Sequence, residues 1–526
     1  MRKSNAWIQN GVALLSGVVL LAGVSPADVR IWQTRIDDGT RREKTLKIDQ
    51  FGVDQDSGYE LLKEMPAIKT SAAPKGQGIR ITIDTGQSFQ TVQGLGASMT
   101  DSSAFVLFEL RKRSPELYQF VMERLFSADK GAGFSFLRQP MGSSDYTATR
   151  EYYTYADKPS ADLSSFSIEH DRAYIIPMLK DALRINPDIE LMGTPWSAPG
   201  WLKTNDSLLG ITKEQKAAGS TCRLKPETID LYAEYFVKYV QAYKQEGLSI
   251  GALTLQNEPQ FDAAQYPCMR MPPEDMARLI GKIGPRFKAL GITTGVFAHD
   301  HNWILHPNDR EVIGGDRKID PLETVTQLFS DPATGGFWAG SAWHCYAGNT
   351  QDMQRVYQTL RKQFPDKKVY CTEISAWRRL SQTDWFDSVR WGLRNNWLGA
   401  LLNGASVATE WNLALDHKYG PTLRDDSLAI GLVTIHTDSY KSVRFEREFY
   451  AMAHVSKAAR PGAVLVKAAI SEGAGLEAGA FALKSGRYSL VVFNPDGKER
   501  SFEVQCKDQY FEYSLPARSI ATLIWK

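Results

Sequence analysis

The middle of the chain alternates short apolar runs with amphipathic stretches, and it does so eight times. The runs are Thr91 to Ala97, Phe134 to Pro140, Ile189 to Thr194, Ile250 to Gln256, Thr293 to His299, Trp338 to His344, Lys368 to Thr372 and Ala405 to Glu410. Strands that alternate with helices form parallel βα units, and eight such units close into a (β/α)8 TIM barrel. One intervening helix is explicit. Tyr232, Tyr235, Phe236, Tyr239, Val240 and Tyr243 recur at i, i+3, i+4 spacing after Pro226 and before Gly247. The rival is an open doubly wound sheet. Its phosphate loop would follow the first strand, where only the lone Gly94-Leu95-Gly96 stands.

The ends of the chain have a different pattern. From about Pro461 to Lys526 short β runs alternate with turns, as in Tyr488 to Phe493, the turn Asn494 to Gly497, and Ile520 to Trp525. Ile79 to Ile83 also alternates. These segments predict an adjoining β-sandwich domain formed from both chain ends, residues 28–88 plus 461–526, flanking a catalytic barrel over 89–460. Residues 1–27 read as a signal peptide: Arg2 and Lys3, an apolar run from Val12 to Val24, then small residues at Ser25-Pro26-Ala27. The run is short for a membrane span, which takes about 20 apolar residues. The mature chain is therefore expected to lack a transmembrane span and to be secreted or periplasmic; an uncleaved anchor is the alternative.

Lys and Arg number 62 against 60 Asp and Glu, with no basic block, which argues against a nucleic-acid partner. Five cysteines give no zinc spacing. Cys222 and Cys268 sit in loop-like segments and could pair in an exported protein; Cys345 and Cys371 read as buried thiols.

Active-site groups of such barrels stand at the C-terminal ends of the strands. Polar residues ending the apolar runs are Asp101, Arg138, Trp196, Asn257, Glu258, Asp300, His344, Tyr346, Glu373, Glu410, Trp411 and Asn412. Two glutamates facing each other across a barrel suit glycoside cleavage. One protonates the leaving oxygen; the other attacks the anomeric carbon, about 5–5.5 Å away in retaining enzymes. Glu258 is assigned as acid/base, with a raised pKa expected, and Glu373 as nucleophile. Arg138, His344 and Tyr346 are candidate donors to the nucleophile. Asn257 can hold a sugar 2-hydroxyl, and Trp196 and Trp411 are candidate sugar platforms, although an isolated Trp is more often core. Glu410 reads as an ion-pair partner. His299, Asp300 and His301 match no metal template, so neither metal nor cofactor is expected.

These strings resemble glycoside hydrolase family 30, in particular its glucosylceramidase branch. The resemblance lies in Gly94 to Asp101 (GLGASMTD), Arg138 to Asp145 (RQPMGSSD), Tyr153 to Asp157 (YTYAD), Thr194 to Asn205 (TPWSAPGWLKTN), Gln256 to Pro259 (QNEP), Thr372-Glu373 and Trp411 to Asp416 (WNLALD). It implies a barrel with an adjoining β-sandwich and a retaining, metal-free mechanism. It also implies a glucose-binding role for Asp101, substrate contact at Trp196, and the acid/base and nucleophile roles of Glu258 and Glu373. Cys345, Ile374-Ser375 and Glu410 depart from the glucosylceramidase pattern at the mouth, which leaves the leaving group open. The reading placed first is a β-glucosidase of glucosylceramidase type, with a carbohydrate or glycolipid substrate. An endo-β-1,6-glucanase or β-xylosidase of the same family is the alternative. A non-catalytic carbohydrate-binding protein is the reading of another class, and it predicts a missing carboxylate.

Overall fold

Eight parallel strands close on themselves: β1 (Gly94–Ser98), β2 (Phe136–Pro140), β3 (Glu190–Thr194), β4 (Ile250–Thr254), β5 (Gly295–Asn302), β6 (Trp338–His344), β7 (Lys368–Glu373) and β8 (Val407–Asp416). Each pairs with its neighbour in chain order, and β8 also pairs with β1, completing the barrel. The computed structural model describes residues 28–36, 46–48, 53–56, 61–76, 78–306, 320–376, 385–424 and 429–526. The segment 1–27, read as a signal peptide, lies outside them.

The strands are apolar because they are buried on both faces. Inside the barrel Phe136, Met192, Ala252, Phe297, Ala342, Tyr370 and Val407 form a cluster, one residue from each of β2 to β8. Large rings sit beside small residues, with Phe297 stacked on Tyr370 at 4.1 Å and Phe136 edge-on to it at 5.7 Å. β1 contributes glycines instead. A Cβ on Gly96 would lie 1.8 Å from the carbonyl oxygen of Phe136, so only glycine lets β1 approach β2. Close strand packing, not a phosphate loop, explains the GxG string.

Helix α1 (Asp101–Arg113) starts directly after β1, capped by Thr100, whose side chain accepts from Ser103 N. Helix α2 (Ile229–Gln245) is the tyrosine-rich helix, and all six residues of the periodic stripe are buried. Their burial contributes on the order of 1.5–3 kcal/mol per side chain before entropy. Gly247 follows with φ of +80°, a left-handed turn that suits glycine.

Two strands run further than their apolar runs. β5 continues to Asn302 because His299 and Asp300 take φ of +78° and +64°, and its register against β6 shifts there. This bulge carries polar residues onward in the strand. β8 continues to Asp416 because its outer half pairs with Gly431–Ile435.

The chain ends do pair. A nine-stranded sheet runs in the order Gln509–Leu515, Arg500–Cys506, Ile79–Thr91, Val464–Ile470, Glu477–Ala482, Tyr488–Asn494, Ser519–Trp525, Asp28–Arg35 and Lys63–Lys69. It has its own core, including Ile31, Ile81, Val504, Leu490 and Trp525. The short strands Leu46–Ile48 and Val53–Asp56 depart from the expected division. They extend the barrel sheet through Val443–Phe445 instead of joining the sandwich. Helix α3 (Arg447–Ala458) fills the seam, where His454 bonds Thr522 on one side and Thr34 on the other.

The disulfide considered for Cys222 and Cys268 is not formed. Both thiols are free and buried, and each donates to a carbonyl, Cys222 to that of Cys268 and Cys268 to that of Phe261, both at 3.2 Å. Cys345 and Cys371 are buried thiols with sulfurs 2.9 Å apart. Among the described residues no helix is long and apolar enough to cross a membrane.

Candidate active site

β7 ends in Glu373 and β2 carries Arg138, buried at the barrel mouth. Arg138 uses its guanidinium three ways. Nη1 donates to Glu373 Oε2 at 2.5 Å; Nη2 donates to Asn257 Oδ1 at 2.6 Å and to Asp300 Oδ2 at 3.0 Å. The other Glu373 oxygen accepts from the Tyr346 hydroxyl at 2.9 Å. Both oxygens of this carboxylate are thus held by donors, which keeps an anion in place without a counter-ion from solvent.

Glu258 follows β4 with φ of +47°, a strained value for a residue with a Cβ. Its amide donates to the carbonyl of Asp300 at 3.0 Å, and the preceding Asn257 amide to that of Pro195 at 2.8 Å. These bonds tie three strand ends together and hold the strained turn. His344 Nδ1 lies 3.3 Å from Glu258 Oε1 and 3.9 Å from Glu373 Oε1. The two carboxylate oxygens are therefore no further apart than the sum of those distances, a bound that includes the ~5–5.5 Å of a retaining pair.

Asp300 is the hub beneath them. It is fully buried and accepts from Arg138, Thr254 (2.6 Å), Thr372 (2.7 Å) and His344 Nε2 (3.2 Å). Burial alone would raise its carboxyl; Arg138 and His344 outweigh burial and hold it well below the usual range. Burial would lower His344, but the charge of Glu373 and the bonds to Asp300 and Glu258 raise it to about 9. Glu258 departs from the sequence expectation. Burial raises it, yet the bonds from His301 and His344 prevail, and its carboxyl lies below the ordinary range.

Trp196 and Trp411 stack on each other, ring centroids 4.9 Å apart, each only 3% exposed. Arg138 lies over Trp196 at 4.9 Å. With Tyr146, Leu415 and Ala429 they form a cluster separate from the main core. The loop carrying Trp196 is pinned by buried Lys203, which donates to Ser197 and to the carbonyls of Leu208, Leu209 and Cys268.

Asp101 is 1% exposed, and its oxygens accept from Ala148 N, Tyr153, Tyr174 and His170. It opens helix α1 and clamps the loop after β2. Asp145, at the end of the RQPMGSSD string, is the carboxylate that feels the pair. Burial raises it to about 7, opposed by Arg424 3.6 Å away and reinforced by Glu373 and Glu258. The described partners of Glu410 are neutral donors, the Ala376 amide at 2.6 Å and the Trp397 indole at 2.9 Å, not a cation. Burial raises its carboxyl well above the ordinary range, as suits an acid without a counter-charge. His299 donates to the Asn302 carbonyl, while His301 Nδ1 stands 3.5 Å from Glu258.

Residues 92–459 match the glycosyl hydrolase family 30 TIM-barrel domain, and residues 462–523 the family 30 β-sandwich domain. The endo-1,6-β-D-glucanase neg1 of Aspergillus fumigatus is 29% identical over 93% of this chain and 97% of its own. The lysosomal acid glucosylceramidase of Mus musculus is 28% identical over 86% of this chain and 84% of its own. The solved structure of the endo-β1,6-glucanase BT3312 aligns with a TM-score of 0.77 at 27% identity, covering 95% of this chain and 99% of that one. Endo-1,6-β-glucanases are thus at least as similar to this chain as the glucosylceramidase.

Proposed function

The chain belongs to glycosyl hydrolase family 30, and from that premise we propose that it is a retaining β-glucoside hydrolase acting on β-1,6-linked glucan. That it is a glycoside hydrolase follows from the family. The observation that carries the mechanism is the arrangement around Glu373. Both its oxygens are held by Arg138 and Tyr346, and His344 connects it to a second carboxylate, Glu258.

Glu373 attacks the anomeric carbon and forms a glycosyl ester. Glu258 delivers the proton that the departing oxygen takes and then removes a proton from the water that opens the ester. Asn257, fixed by Arg138, is placed for a sugar hydroxyl. Trp196 and Trp411 wall the sugar site, and Asp145 supplies an acceptor at its rim. The β-1,6-glucan assignment is supported by the two endo-1,6-β-glucanases above. Glucosylceramide is the second reading, supported by the mouse relative. We further propose that residues 1–27 are removed on export, which the intact mass of exported protein checks.

Azide separates the two glutamates. On a substrate with a good leaving group, Glu258→Ala still forms the glycosyl ester but cannot activate water. Azide needs no base, so it restores turnover and yields a β-glycosyl azide. With Glu373→Gly azide enters the vacated space and gives the α-azide. Proton NMR distinguishes the anomers; exchanged products would reverse the roles, and inversion by the wild type would remove the retaining mechanism. Initial rates on β-1,6-glucan and glucosylceramide decide the substrate.

A further inference from the structure

Glu258, His301 and His344 each direct one ligand atom into a single small volume, and these atoms lie within 4.8 Å of one another. His301 Nδ1 is 3.5 Å and His344 Nδ1 3.3 Å from Glu258 Oε1. Both contacts are longer than the ~2.7–2.9 Å of a good charge-assisted hydrogen bond. They match the ligand–ligand edge of a tetrahedral zinc, about 3.3–3.4 Å for bonds of about 2.0–2.1 Å. We propose that these three residues form a binding site for a borderline first-row divalent cation, Zn²⁺ above all, and that its occupancy switches hydrolysis off.

Two further features fit. His344 Nε2 donates to Asp300 Oδ1, and Asp300 is itself fixed by Thr254, Thr372 and Arg138. That carboxylate–histidine pairing turns Nδ1 toward the cation and makes it a better donor. Both imidazoles are buried, while Glu258 is 17% exposed at the mouth and gives the ion a way in and a fourth, solvent-facing position. Two nitrogens and one oxygen select against Mg²⁺ and Ca²⁺, which take oxygen ligands. Binding uses a lone pair from each residue and displaces any proton on His301 or His344 Nδ1, so affinity rises with pH.

The site stands on geometry alone. The inhibition rests on the proposed function, because a cation on Glu258 removes the group that delivers the proton. The full chain, stripped of metal by chelation, is titrated with Zn²⁺ by calorimetry and with Co²⁺ by visible absorption. One ion per chain is expected, with the intense d–d bands of four-coordinate Co²⁺. His301→Gln and Glu258→Gln, each checked by thermal melting, should each weaken binding at least tenfold, and millimolar Mg²⁺ should not compete. Should His301→Gln fail to fold, Glu258→Gln carries the test. Octahedral Co²⁺ bands, or an affinity that neither variant changes, would overturn the site. Hydrolysis by the wild type should survive chelation, stop with one equivalent of Zn²⁺ bound, and return with chelator. Binding that obeys the variants while hydrolysis continues would leave the site standing and remove Glu258 from the mechanism.

Discussion

Replacing Tyr346 by Phe removes one oxygen and keeps the ring. In the wild type that hydroxyl donates to Glu373 Oε1, while Arg138 holds Oε2. Burial first, then the charges of Glu373 and Glu258, push the Tyr346 hydroxyl well above the phenol range, so it remains a neutral donor throughout working pH. A hydrogen bond to a charged acceptor contributes about 1.5–3 kcal/mol. Because Arg138 remains, the lower end applies, about 1.5 kcal/mol or roughly tenfold in rate. Under the retaining mechanism proposed above, the consequence differs between the half-reactions. The bond stabilises a carboxylate more than an ester. In glycosylation the carboxylate is consumed, so its loss raises the free protein at least as much as the transition state, and kcat/KM is preserved. In deglycosylation the carboxylate is regenerated, so only the transition state loses stabilisation. For an aryl glycoside with a good leaving group, kcat should therefore fall about tenfold with KM falling in step. Stopped-flow mixing should show a burst of one equivalent of the aryl product. Equal losses in kcat and kcat/KM, with no burst, would refute the reasoning.

Trp411→Ala should cost about 3–5 kcal/mol through the cavity left beside Trp196, seen as a lower melting temperature, whereas Trp411→Phe should retain most of the stability. His454 is buried, and burial followed by the charge of Lys457 lowers it to about 3. Between about pH 6.5 and 3 the unfolded chain binds a proton that the folded chain does not, so stability falls as pH falls through that window. Urea titrations across the window should show a shallower slope for His454→Gln; an unchanged slope rejects the assignment. Asp145, raised to about 7, should give kcat/KM a limb that climbs through that pH as its carboxylate becomes a better acceptor for sugar hydroxyls, and Asp145→Asn should flatten it.

What the sequence revealed was what periodicity and strand ends encode. The eight apolar runs and the tyrosine helix are one-dimensional patterns, and β1 to β8 and α2 follow them closely. Glu258, Glu373, Arg138, His344 and Tyr346 were legible because a closed barrel converges its strand ends whatever the loops do. The loops were not legible. Asp101 and Asp145 both follow strand ends in acidic, hydroxyl-rich strings, and only the path of the chain after β2 sends one beneath the loop and the other to the rim. The H-D-H string concealed its organisation because the left-handed pair His299 and Asp300 breaks strand alternation; Asp300 turns under the barrel mouth and His301 toward Glu258. Leu46–Ile48 and Val53–Asp56 escaped because such short strands take their sheet from the neighbour they meet. Cys222 and Cys268 looked like a disulfide from loop context alone, whereas their thiols serve as donors to carbonyls.

The nine-stranded sheet imposes a schedule on synthesis. Ile31 lies opposite Met65 on one side and Leu523 on the other, so the first strand of that sheet gains one partner early and the second only after residue 523 has been made. At about 5–20 residues per second that is a wait of roughly 25–100 s, during which the barrel has time to fold and the early strand keeps one edge open. An unpaired strand edge bearing Val29 and Ile31 is an invitation to neighbouring chains. Yield in a heterologous host should therefore depend less on the stability of the finished enzyme than on how well that first strand is shielded until the last one arrives.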